Sequence, residues 1–224
     1  MQKFWHSMNY LAHLLLAQPN SNSRIGNLLG DFYHGTQPEL LTPAITAGLY
    51  NHRAVDWFTD RHPDVRAARQ FFSSPMRRFA PIALDMLFDF CLIKYWTQFF
   101  DSNFNDYKIQ LYQSLRTDLP LMPDSMAKTF KAVTEQDWFG NYAELAGIQY
   151  SLRRMACRGR FTSRYASIAD ELPEIQLKTE QVFLQFFPQL QLFIQQSAIE
   201  QNPALAFERY SKATGKDQSS TAPC

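Results

Sequence analysis

Apolar residues recur every three or four positions through most of the chain, and proline, asparagine and serine separate the apolar runs. This period predicts helices over 8–17, 24–34, 43–60, 63–72, 81–100, 103–119, 123–137, 141–157 and 172–198. No alternating run is long enough for a useful strand, and neither an internal repeat nor a glycine-rich phosphate loop occurs. We therefore expect an all-α fold, a single-domain helical bundle.

Capping residues and prolines set the expected helix ends. Ser23 can cap the second helix, and Pro43 suits the first turn of the third, where its missing N–H costs nothing. Pro173 is expected to begin the last long helix. Pro188 then predicts a kink or a break within it, because proline removes a backbone donor.

The chain divides by the strength of its helical pattern. Residues 1–7 are expected to form an N-terminal extension and residues 8–200 the helical domain. From residue 201 the apolar period fades and polar residues dominate, so 201–224 is predicted to be a polar, flexible tail.

Composition narrows the class of protein. The chain has 224 residues, 15% of them aromatic and only 8 of them glycine, which favours a packed globule over a disordered chain. A net charge of +1 argues against general attraction to nucleic acid. The longest apolar stretch, 82–96, contains three charged residues, so no membrane span is expected. Three separated cysteines without a CxxC pair suggest reduced thiols and a cytoplasmic location.

The helix predicted over 43–60 carries the first candidate chemistry. His52, Asp56 and Asp60 are four residues apart, so they project from one face beside an apolar stripe. Imidazole and carboxylate are both ligands for divalent metal ions. An exposed polar face with ordinary charge spacing is the alternative interpretation.

Two further pairs with the same spacing lie on neighbouring helices, Asn27 with Asp31 and Asp85 with Asp89. Their carboxylates stand between large apolar residues, and burying them is costly unless a cation or hydrogen bonds compensate. Converging helices would offer oxygen and nitrogen ligands to Mn²⁺, Mg²⁺ or Fe²⁺. Alternatively, these acids cap helices at the edge of the core.

Four ordered segments carry a resemblance to a known family: MNYLAHLLLA from residue 8, GNLLGDF from 26, AGLYNHRAVDWFTDRHPDVRAAR from 47 and RRFAPIALDMLFDF from 77. They resemble the bacterial acyl carrier protein phosphodiesterases. The resemblance implies an all-α fold distantly similar to HD-type metal phosphohydrolases. It also implies a reaction that releases 4′-phosphopantetheine from holo acyl carrier protein and leaves the apo protein, with Mn²⁺ as the favoured metal.

The resemblance assigns roles to individual residues. Asp31 matches the acid of the family's GNLLADF motif, and the HRRID and LDxxWDH motifs match His52, Arg53, Asp56, Asp85 and Asp89. The candidate metal ligands are Asp31, His52, Asp56 and Asp89. The candidate catalytic residues are Asp31, His52, Asp85 and Arg53, with Asp85 as an orienting group or base. Arg53 is either a phosphate clamp or the partner of a neighbouring carboxylate on its own helix.

The chain also departs from the family pattern. Phe90 stands where the family has the histidine after the last acid, and Leu15 replaces the second histidine of LAHLHLA. His13 matches the first histidine of that motif. The two replacements keep open a catalytically weakened protein that only binds the carrier.

A basic stretch suggests how the partner would dock. Residues 145–169 contain no acid but five arginines, from which we select Arg153, Arg154 and Arg158 as carrier-binding residues. Acyl carrier proteins are strongly acidic, so such a patch would steer their approach. The alternatives for this patch are an ordinary solvated face or a nucleic-acid patch. The alternative for the reaction is the same site acting on a nucleotide or another small phosphodiester. We expect neither a nucleic-acid nor a membrane partner.

Overall fold

The computed structural model describes residues 10–32, 41–156 and 163–216; the predicted extension 1–7 lies outside them. These ranges contain twelve α-helices and no strand. In chain order the helices are α1 (Tyr10–Leu15), α2 (Ser21–Leu29), α3 (Pro43–Arg61), α4 (Pro63–Ala68), α5 (Ala80–Lys94), α6 (Trp96–Phe99), α7 (Phe104–Asp118), α8 (Asp124–Glu135), α9 (Trp138–Asn141), α10 (Leu145–Ala156), α11 (Ser163–Ser197) and α12 (Ala206–Thr214). Buried side chains from α1 to α11 form one contiguous core, which confirms the all-α single-domain fold.

Helix α3 has nearly the limits that its sequence predicts. The Thr42 hydroxyl accepts a hydrogen bond from the Ile45 amide at 3.3 Å, so Thr42 caps the helix and Pro43 lies in its first turn. The helix ends at Arg61, because His62 precedes Pro63 and adopts an extended conformation.

Helix α2 lies directly against α3. A Cβ on Gly26 would lie 2.3 Å from the Ile45 carbonyl oxygen and 2.7 Å from the Gly48 Cα. Two glycines therefore let the two backbones touch, at a separation that larger residues would prevent. This contact places the end of α2 beside the polar face of α3.

The capping prediction for α2 was wrong. Asn20 caps this helix, and its side-chain oxygen accepts from the Ser23 amide at 3.0 Å, so Ser23 lies inside the first turn. The α-helix ends at Leu29 and continues as the 3-10 turn Gly30–Phe32, which carries Asp31. The remainder of the predicted helix, from residue 33, lies outside the described residues.

Helix α5 passes through the centre of the core. Nearly all of its side chains are buried, as expected for a helix that is apolar on all sides. The predicted single helix over 81–100 divides at Tyr95, which leaves the helical conformation and separates α5 from α6. Of the described helices, none is both long enough and apolar enough to cross a membrane.

Helix α11 corrects the expected start at Pro173 and has no break at Pro188. It begins at Ser163, before Pro173, and it runs without a break through Pro173 and Pro188. An internal proline costs a helix about 3 kcal/mol. Burial of Phe183, Phe186 and their neighbours against α5 offsets that cost, at about 1.5–3 kcal/mol per large apolar side chain.

The C-terminal segment is another correction. Within the predicted flexible tail, 201–224, the structure contains helix α12, which packs on α3. Tyr210 is only 1% exposed and stacks on Tyr50 at 5.3 Å between ring centroids, and Ala206 is also buried. Because apolar contacts are spaced four residues apart, a largely polar segment still has one buried face. Residues 217–224 lie outside the described part.

Candidate active site

His52 and Asp56 meet on one face of α3, as their spacing predicts. The Nε2 atom of His52 lies 3.1 Å from Oδ2 of Asp56. The imidazole is buried, whereas the carboxylate is 34% exposed and so faces an opening to solvent. One turn of α3 therefore holds a nitrogen donor and an oxygen donor side by side.

A second imidazole comes from α1. His13 is buried, and its Nε2 atom lies 3.3 Å from Oδ1 of Asp56. Its ring stacks on that of His52, with 4.1 Å between centroids and 23° between planes. His13, His52 and Asp56 each offer one ligand atom, and these atoms lie within 4.8 Å of one another. We call these three residues the ligand cluster.

The carbonyl of Asn27 fixes the orientation of His52. It lies 2.7 Å from Nδ1 of the imidazole, and a carbonyl oxygen can only accept a hydrogen bond, so Nδ1 carries a hydrogen. In neutral His52 the lone pair is then on Nε2 and points at a carboxylate oxygen of Asp56. Two electron-rich atoms at 3.1 Å require a positive species between them, either a proton or a metal ion.

The electrostatics of the cluster agree with this conclusion. Burial disfavours a charged His52, but the carboxylates of Asp56 and Asp31 outweigh burial and raise its pKa to about 9. Burial raises the pKa of Asp56, yet the two imidazoles lower it well below its usual range. For His13, burial and then the neighbouring His52 charge lower the pKa. Without an ion, His52 is therefore an imidazolium at neutral pH, with its second ring hydrogen on Nε2 facing Asp56.

Asp31 borders the ligand cluster from the turn after α2. Both of its carboxylate oxygens are buried and have no hydrogen-bond partner. Burial raises its pKa to about 7, with His52 opposing the shift and Asp56 adding to it. Asp31 is not one of the three residues whose ligand atoms lie within 4.8 Å. A buried carboxylate without a donor is costly, so this position favours a cation nearby.

Asp85 approaches the same region from α5. Burial raises its pKa well above the usual value, and the charges of Asp56, Asp60 and Asp31 raise it further. The carboxylates of Asp31, Asp56 and Asp85 thus act on one another beside two imidazoles, in a region that we call the acidic pocket. Nδ1 of His13 is buried without a hydrogen-bond partner, and its Nε2 contacts Asp56. The pocket therefore has an excess of negative groups and unused donor atoms, and these features fit a divalent cation.

Asp89 has a different position from the one expected for a metal ligand. Its two carboxylate oxygens accept hydrogen bonds from the amides of Leu11 and Ala12, at 3.4 and 3.3 Å. It is fully buried and is not part of the ligand cluster. Asp89 instead anchors the first turn of α1, which is the helix that carries His13.

Arg53 is also outside the ligand cluster. Its guanidinium lies over the ring of Tyr50, 5.7 Å from the centroid, and Tyr50 packs against α12.

Phe90, at one of the positions where the resemblance implies a histidine, is buried in the core. Leu15, at the other replaced position, is partly buried against that core.

His13 is the residue to which sequence reasoning gave no role. The signal was its match to the first histidine of the family's LAHLHLA motif. Its partner Asp56 is distant in the sequence and on another helix, so spacing alone could not pair them. Only the packing of α1 against α2 and α5 reveals the pair.

Two of the predicted docking arginines, Arg153 and Arg154, lie on α10. Arg153 forms an ion pair with Asp170 at 2.6 Å. Arg154 lies over the Tyr150 ring and donates weakly to the side-chain oxygen of Gln136, at 3.5 Å. Arg158 lies outside the described residues.

Comparison with known proteins decides the family. The family model for acyl carrier protein phosphodiesterase matches residues 8–190. This chain belongs to the acyl carrier protein phosphodiesterase family. The named family members include proteins called acyl carrier protein phosphodiesterase from Serratia proteamaculans (strain 568), 37% identical over 187 residues, and from Escherichia coli O157:H7 (strain EC4115 / EHEC), 34% identical over 184 residues.

Both alignments cover 82% of this chain and 95% of the relative, so the family assignment extends over nearly the whole helical domain. A member from Escherichia coli (strain K12 / DH10B) is 33% identical over 187 residues. No solved structure matches the chain. The expected likeness to HD-type phosphohydrolases therefore stays a prediction.

The ligand cluster can be tested without any assay of activity. We expect Mn²⁺ to bind one site, and His13→Ala, His52→Ala and Asp56→Ala each to weaken binding at least about 100-fold, because each removes a donor. With the pKa of His52 near 9, the ion must displace a proton below that pH, so affinity should rise from pH 7 to 9.

Isothermal titration in buffers of different ionisation enthalpy measures both the affinity and the protons released. Asp124→Asn, which removes an exposed carboxylate in the first turn of α8, is the control and should bind normally. Tight binding by Asp56→Ala, or an affinity that does not change with pH, would contradict the assignment.

Proposed function

We propose that this chain is a metal-dependent phosphodiesterase that releases 4′-phosphopantetheine from holo acyl carrier protein and leaves the apo protein. Its family membership supports the substrate and the reaction type. The observation that carries the metal dependence is the His52–Asp56 contact, in which a fixed Nε2 lone pair faces a carboxylate oxygen at 3.1 Å. We also propose a cytoplasmic location.

We assign the metal to the ligand cluster of His13, His52 and Asp56, with Asp31, whose charge acts on His52, as a further candidate ligand. Two imidazoles and a carboxylate suit Mn²⁺ or Fe²⁺ better than Mg²⁺, which prefers oxygen donors. A bound ion supplies positive charge for the phosphate oxygens and lowers the pKa of water. Mn²⁺ is our preferred ion.

The remaining carboxyl groups can exchange the protons that hydrolysis requires. Water attacks phosphorus, the bond from phosphorus to the serine oxygen breaks, and that oxygen takes up a proton. Asp31, with a pKa of about 7, is our candidate to accept the proton of the water. Asp85, whose pKa is raised well above its usual range, holds a proton that it can deliver to the serine oxygen.

Asp89 supports the site indirectly. Because its carboxylate binds the first amides of α1, it sets the position of His13 opposite Asp56. We therefore propose a positioning role for Asp89 in place of metal ligation.

Incubation of the purified protein with Mn²⁺ and holo acyl carrier protein, followed by intact-mass analysis of the carrier, tests the function. We expect the carrier to lose the mass of the prosthetic group, EDTA to abolish the loss, and Mn²⁺ to restore it. Asp31→Asn should slow turnover at least about 100-fold because it removes a proton acceptor. Asp124→Asn should act like the wild type.

The alternatives give different results in the same experiment. Unchanged carrier mass with retained carrier binding would indicate a protein that binds without catalysis. Unchanged mass without binding would leave hydrolysis of a nucleotide or another small phosphodiester as the function to assay.

We further propose that the carrier docks beside α10, where Arg154 lines a cleft of about 400 Å³ together with Trp138, Tyr150 and Met155. The described contacts of Arg154 are with an aromatic ring and an amide, so its charge can attract an acidic partner. Arg153 is already paired with Asp170 and should contribute less.

Charge reversal tests this surface. Arg154→Glu should raise the KM for carrier protein about tenfold at low salt and about twofold at 0.5 M salt, because salt screens the attraction. Lys212→Glu, an exposed reversal on α12, is the matched control and should change KM less than twofold. If the two variants changed the KM for carrier protein equally, the carrier would not dock beside α10.

A further inference from the structure

The guanidinium of Arg69 lies at the edge of the acidic pocket. Arg69 occupies the 3-10 turn Arg69–Phe71, directly after α4, and one of its terminal nitrogens, Nη2, donates to Oδ1 of Asp60 at 3.1 Å. Its side chain is 33% exposed, yet its Nε atom is buried and has no hydrogen-bond partner. A buried N–H without an acceptor is costly, so this donor is suited to a ligand.

The position of Asp60 relates Arg69 to the ligand cluster. Asp60 follows Asp56 by four residues on α3, so it lies one turn further along the same face, about 6 Å along the helix axis. On the α5 side, burial and neighbouring carboxylates raise the pKa of Asp85, and the positive charge of Arg69 opposes them. Arg69 therefore contacts Asp60 and lies near enough to Asp85 for its charge to act on that carboxyl group.

We propose that Arg69 binds a non-bridging oxygen of the substrate phosphodiester through its Nε–H and a neighbouring N–H. This inference rests on the proposed function, since it concerns the same site. The guanidinium edge offers two parallel donors, which match phosphate oxygens better than a single point charge does. Asp60 holds the guanidinium in place by its contact with Nη2.

A substrate phosphate could contact both a metal ion in the ligand cluster and the guanidinium of Arg69. One oxygen can lie near the ligand cluster while another reaches Arg69, whose partner Asp60 lies one turn along α3 from Asp56. As negative charge grows on the phosphate oxygens during attack by water, a fixed positive donor stabilises it. Arg69 keeps its protons throughout, so the proton transfers assigned to the carboxyl groups are unchanged. The guanidinium of Arg53 lies over the Tyr50 ring, which packs against Phe207 of α12.

Substitution of Arg69 with a matched neighbour tests the inference. Arg66→Gln removes an exposed arginine three residues earlier, on α4, and is the control. Binding of inorganic phosphate to the Mn²⁺-loaded protein is the main measurement, and kcat with holo acyl carrier protein is the second. Arg69→Gln should weaken phosphate binding at least tenfold and lower kcat about 100-fold, with Mn²⁺ affinity within twofold of the wild type. Arg66→Gln should change none of these values more than twofold.

Two results would overturn the inference. One is phosphate affinity in Arg69→Gln within twofold of the wild type. The other is a parallel loss of Mn²⁺ affinity, phosphate affinity and melting temperature, which would show a purely structural role.

If Arg69→Gln does not fold, Arg69→Lys takes its place, since it keeps the charge and loses the paired donors. Phosphate binding about tenfold weaker in this variant supports the inference, and wild-type binding overturns it. Should the wild type fail to cleave the carrier, the proposed function fails, while phosphate binding still decides the role of Arg69.

Discussion

The hydrogen bond between Nδ1 of His52 and the carbonyl of Asn27 is the constraint on which the site depends. It determines that Nε2 faces Asp56, so Nε2 is the nitrogen that takes up either a proton or a metal ion. The bond exists because the backbones of α2 and α3 touch at Gly26 and Gly48. The close packing of α2 against α3 thus fixes the orientation of the His52 imidazole. It also creates a position between His52 and Asp56 that requires a proton or a metal ion.

The other carboxylates of the acidic pocket also favour a bound positive ion. Asp31, Asp56 and Asp85 share a partly buried space, and the uncompensated carboxylates push the pKa values of Asp31 and Asp85 upward. A fold would gain stability by replacing such acids with apolar residues of similar size. Their presence is a cost that binding of a cation and a phosphate can offset. Helix α1, held by Asp89, adds the second imidazole.

Local patterns predicted the parts of this arrangement that lie on single helices. The spacing of His52 and Asp56 was sufficient because a helical turn places residues four apart side by side. The role of Asp89 was beyond local reasoning, because a buried acid can meet a cation or backbone amides, and only the packed position of α1 decides between them. Helices α11 and α12 were misjudged for a related reason. Tertiary burial of Phe186 and Tyr210 outweighs the local signals of proline and polarity.

Anomalous diffraction from crystals soaked in Mn²⁺ tests the central claim most directly. The account predicts one strong peak between α1 and α3, about 2.0–2.3 Å from a nitrogen of His13, from Nε2 of His52 and from an oxygen of Asp56. Nδ1 of His52 should remain on the Asn27 carbonyl. A fully soaked crystal with no peak there, or with the ion bound by other residues, would contradict the account.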